Sequence, residues 1–182
     1  METEQVKEVA KRLRPIIKGK TADDVIFLCI GTDRSTGDSL GPLVGTQLRK
    51  KGYQVIGDID DPTHALNVQE RWEHARKTGK YVIAIDACLG NANRVGYITA
   101  KPEPLSPGAG AGKDLGRVGH AGIYGVVNVS GYMEHIVLQN TRLSLVLKMV
   151  DIITQAITQT LKEPKAYIST YQEVAISTIE VG

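Results

Sequence analysis

The first seventeen positions carry apolar residues at Val6, Val9, Leu13, Ile16 and Ile17, spaced mostly by three and four. That period predicts an amphipathic helix over about residues 2–17, laid against a sheet. Residues 25–30 are apolar without interruption, the mark of a strand buried on both faces. A polar, glycine-bounded loop over 31–37 leads to a helix over 38–50, whose apolar face uses Leu40, Leu43, Val44 and Leu48. Pro42 is tolerated near that helix start, and Gly52 is placed to end it.

Further strands are predicted over 53–59, 81–85, 95–99 and 123–129, and a helix over 66–77 with Gly79 as its stop. Residues 132–161 read as mostly helical, interrupted near Asn140-Thr141, where Thr141 is placed to cap a second helix. The β-branched tail over 167–179 reads as an edge strand or hairpin. One connection stands out: residues 101–122, rich in Gly, Pro and Ser, are too long for a routine link and form a candidate functional loop.

Helices recurring between apolar strands predict a mostly parallel sheet covered on both faces, an α/β chain of three-layer α/β/α type. Its 182 residues fit one domain, 1–182. Sites in such sheets lie outside the carboxyl ends of the strands. The formal charge of +2 gives no reason to expect a nucleic-acid partner. With no leader pattern and no run of about 18 apolar residues, the expectation is a cytoplasmic chain with no membrane association. Cys29 and Cys88, in or beside apolar runs, read as free thiols in a reducing compartment.

Two segments meet the strand-end rule. In the first, Asp38 falls at the predicted start of a helix, where free backbone N–H groups stabilise a carboxylate or are simply capped by it. In the second, Asp86 ends an apolar strand, where a charge must be hydrogen-bonded, paired or protonated. Brought together, the two would split their titrations, and such a pair can activate water and protonate a leaving amine, or hold a metal. The alternative is structural, with Asp86 bonded to the Gly31 loop. Asp33 offers a third carboxylate, and Arg34 a partner for one. Ser106, Gly108 and Gly110 belong to a loop able to aim backbone N–H groups at a carbonyl or anion. His120, near the end of that loop, is a candidate base or metal ligand.

The pieces Gly37-Asp38-Ser39-Leu40-Gly41-Pro42 and Ala84-Ile85-Asp86-Ala87, joined to Pro107-Gly108-Ala109-Gly110, resemble the spore germination protease group. From about residue 24 onward the chain is similar to the small sporulation proteins of the YyaC type found in Bacillus and Clostridia. The resemblance implies a phosphorylase/hydrolase-like three-layer fold, shared with the endopeptidases that mature hydrogenases. It also implies catalytic roles for Asp38 and Asp86 and cleavage of a spore protein in sporulating cells or the forespore. In the hydrogenase-maturing relatives these two places and a histidine after a later strand surround nickel. Here Ser130-Gly131-Tyr132 stands at that junction, leaving His120 or His135 to approach from elsewhere. The chain is much shorter than a germination protease.

Three readings follow: a peptidase with paired aspartates, a non-catalytic sporulation or binding protein that keeps the fold, and a peptidase or amidase dependent on a divalent metal at Asp38 and Asp86. A spore protein or peptide is the expected partner, together with a second copy of the chain in a homo-oligomer.

Overall fold

The computed structural model describes residues 3–108, 115–162 and 164. The expected edge strand over 167–179 and Gly110 lie outside the described residues. Among the described residues five strands form one sheet: β1 (Val25–Cys29), β2 (Gln54–Ile56), β3 (Tyr81–Gly90), β4 (Ile98–Lys101) and β5 (Ala121–Val129). Their order is β2-β1-β3-β5-β4. All neighbours are parallel except β4, which runs antiparallel to β5.

The helices are α1 (Glu4–Ile16), α2 (Leu40–Lys50), α3 (Val68–Lys77), α4 (Glu134–Gln139) and α5 (Leu143–Thr160). Strand side chains alternate between faces. Val25, Phe27, Cys29, Ile83 and Ile85 therefore join α1, α2 and α5 in one core. Ile26, Leu28, Val82 and Ala84 join Val68 and Ala75 of α3 with Leu105 and Val118 in the other. The sheet is thus the middle of three layers. Among the described residues no helix is long and apolar enough to cross a membrane, and both cysteines are free.

Several boundaries differ from expectation. The strand expected to stop at residue 85 continues to Gly90, because β5 goes on pairing with it after β1 has ended. The short strand expected over 95–99 is displaced to Ile98–Lys101, since Gly96 turns the chain with φ +88°. The helical stretch over 132–161 is interrupted where expected, near Asn140-Thr141, giving α4 and α5. Thr141 does not cap α5: its hydroxyl donates to the Val137 carbonyl at 3.0 Å and accepts from Asn128 Nδ2 at 3.2 Å, while Arg142 occupies the N-cap position. The helix expected from residue 66 begins at Val68, leaving Leu66 93% exposed before it.

Candidate functional site

The geometry of the crevice starts where β1 leaves the sheet. Ile30 makes the last ladder bond, its N–H donating to the Ile85 carbonyl at 2.8 Å. Its own carbonyl then lies against Gly41: a Cβ there would sit 2.0 Å from the Ile30 oxygen. Gly31 follows with φ +136°, and a Cβ on it would lie 1.9 Å from the Asp38 carbonyl oxygen. Both positions need glycine, since any side chain would collide with backbone. The chain crosses a short 3-10 turn, Gly37–Ser39, and enters α2, where Leu40 is fully buried and Pro42 sits in the first turn. The run from Gly37 to Pro42 thus fixes the turn that carries Asp38. It is not a helix cap; its Oδ2 accepts the Thr32 N–H at 2.9 Å.

Asp86 lies one residue beyond the last β1 partner on β3. Alternation sends its side chain to the face of Val82 and Ala84, beneath the segment that follows Leu105. There the carboxyl is 6% exposed and accepts the N–H groups of Ala87 and Gly108. Burial, and then the charge of nearby Asp38, raise its proton affinity well above the ordinary carboxylate range; the two amides oppose this. Asp38 is also raised by burial, against the Thr32 amide and the nearby His64. The charge of Asp38 thus bears on the titration of Asp86.

Both line one cavity of about 300 Å³ with Gly31, Ser106 and Gly108. Its remaining wall is largely apolar, from Ile30, Ala65, Leu89, Leu115, Tyr124 and Leu138. Cys88 also faces it, its thiol pushed up to about 11 by burial and by Asp86.

The other sequence-derived candidates fall elsewhere. Asp33 and Arg34 are exposed and are not part of the cavity wall. His120 is at the opposite end of the sheet, where its Nδ1 accepts the Val82 N–H at 2.9 Å and its ring stacks on Tyr81 and meets the edge of Trp72. Val82 precedes Asp86 by four residues, about 13 Å along a strand. Two residues in the wall carried no sequence signal, Ser35, whose buried hydroxyl has no partner among the described residues, and His64; His135, which the resemblance left to approach from elsewhere, also lines it. Each arrives from a loop or a short helix, so only the tertiary fold places it.

Among the described residues, no group of three or more His, Cys, Asp or Glu side chains is gathered as a metal site. The two carboxylates by themselves do not fit the nickel set implied by the resemblance.

This arrangement of sheet, helices and strand-end crevice has the fold of the hydrogenase maturation proteases. HycI from Thermococcus kodakarensis KOD1 superposes with a TM-score of 0.56 at 16% identity, over 83% of this chain and 99% of that one. HybD from Thermococcus kodakarensis aligns over 71% of this chain and 95% of its own with a TM-score of 0.41 at 19% identity. The chain belongs to the family described as "Protein of unknown function (DUF1256)", which matches residues 1–156. The Bacillus subtilis (strain 168) protein titled "Uncharacterized protein YyaC" is 44% identical over 159 residues, 85% of this chain and 78% of the relative.

Proposed function

We propose that the crevice hydrolyses a peptide bond, with Asp38 and Asp86 as base and acid. The observation that carries this is the unequal pair in one cavity: both carboxyls have raised proton affinity, and Asp86 is the more strongly raised. Asp86 then holds the proton that a leaving amine requires, while Asp38, steadied by the Thr32 N–H, takes one from water. The Gly108 N–H serves Asp86 and is not free for an oxyanion, which leaves that role to the Ser35 hydroxyl, unpartnered among the described residues. The protease fold supports the reaction class, and the resemblance to germination protease points to a spore polypeptide as substrate. No metal step is invoked.

Digestion of spore-protein extracts, followed by mass spectrometry of new peptide termini, tests this reading. D38N and D86N should each slow cleavage by at least ~100-fold. Full activity in both would sink it.

The two amides bound to Asp86 favour a second reading, in which the carboxyl organises the Gly108 loop of a non-catalytic binding protein. On that reading the wild-type protein generates no new termini in the same digestion.

A further inference from the structure

β3 outlasts β1. Tyr81 to Ile85 pair with β1, but from Asp86 to Gly90 the strand pairs, among the described residues, with β5 alone. The direction of its backbone groups follows from the bonds already made. The Ile85 carbonyl accepts from Ile30 on the β1 side, whereas the Val82 and Gly90 carbonyls accept from His120 and Ser130 on the β5 side. Even-numbered residues therefore face β5, and Ala87 and Leu89 face the place that β1 has vacated. The Ala87 N–H is taken by Asp86. The Ala87 carbonyl and both backbone groups of Leu89 have no strand beside them among the described residues, although the stretch lines the cavity.

A sheet edge inside a protein is normally paired or covered, because unpaired N–H and C=O groups template another strand. Where β1 ends, the Ile30 carbonyl lies against Gly41 and Gly31 turns the chain toward Asp38, and among the described residues no strand follows beside β3. An extended polypeptide entering here would replace β1 as the neighbour of β3. Its alternate side chains would meet the apolar wall of Ile30, Leu115, Tyr124 and Leu138, and its backbone would pass beside Asp38 and Asp86.

We infer that the edge of β3 at Ala87–Leu89, without a neighbouring strand among the described residues, binds an unfolded, extended polypeptide segment by strand addition, with apolar side chains seated in the cavity. The inference rests on the crevice being a polypeptide site, and it names the substrate class as chain already free of secondary structure. Main-chain pairing reads extension rather than sequence, and the apolar wall selects which residues lie next to the reacting bond.

The probe is a displayed library of short random peptides, panned on the wild-type protein. L89P removes the Leu89 N–H and places a ring on the side away from β5. It leaves the β5 ladder intact, as proline on an edge strand permits. Enriched peptides should bind L89P about tenfold more weakly or worse, with a thermal melt confirming that the variant folds. Independently of that variant, N-methylating an enriched peptide one residue at a time should break wild-type binding with a period of two. Absence of enrichment, equal binding to L89P, or indifference to the N-methylated position would each overturn the inference. Peptides that bind with the two-residue period but stay uncleaved would uphold strand addition and remove the hydrolysis reading. Cleavage undiminished in L89P would do the reverse.

Discussion

Burial of Asp86, and then the charge of Asp38, raise its proton affinity well above the ordinary carboxylate range. This sets a sign for stability against pH. An unfolded aspartate loses its proton near about 3.9, whereas the folded one loses it only well above that range. Between the two the folded state binds more protons, so stability falls as pH rises through that window. Urea melts of wild-type and D86N protein over that pH range should show the decline in wild type and a flatter profile in D86N, because asparagine cannot ionise. A wild-type profile that rises instead would mean that the amides of Ala87 and Gly108 outweigh burial. Asp38, raised by a smaller margin, contributes in the same direction.

At the scale of elements, the junction of β1, the 3-10 turn and α2 places the acid pair, and its tolerance is small. G41A would drive a methyl group into the Ile30 carbonyl at 2.0 Å. It should cost about 1–3 kcal/mol in a denaturant melt, with loss of the crevice geometry as α2 backs away. Much of this level was legible in the sequence. The apolar runs before Gly31 and Asp86 marked two adjacent strands, and the Gly37–Pro42 motif marked the turn. The extension of β3 was hidden because an aspartate after an apolar run reads as a strand end, and only pairing with β5 carries the strand further. The antiparallel direction of β4 was equally hidden, since the short apolar run around it says nothing about direction. Ser35, His64 and His135 reach the cavity from segments whose local sequence is ordinary, so only the closing of the three layers brings them there.

Across the whole molecule the two ends of the sheet carry different groups. The carboxyl ends hold the acid pair, and the amino end holds His120 between Tyr81 and Trp72, bonded to the Val82 N–H. H120A should leave that N–H without its acceptor and lower stability by about 1–2 kcal/mol, while cleavage by the folded protein is unchanged. A fall in turnover without a fall in melting temperature would instead tie His120 to the chemistry.

The cavity wall also draws on residues scattered from Ile30 to Gln139. Closing such a ring requires long-range contacts, whose loop-closure entropy is met late in folding. A chain still on the ribosome lacks the far wall until α4 has emerged, and α5, which secures α1 and α2, comes later still. The cavity is therefore closed only once residues 135–139 have joined the fold, whereas the turn and the strand that carry Asp38 and Asp86 come much earlier in the chain.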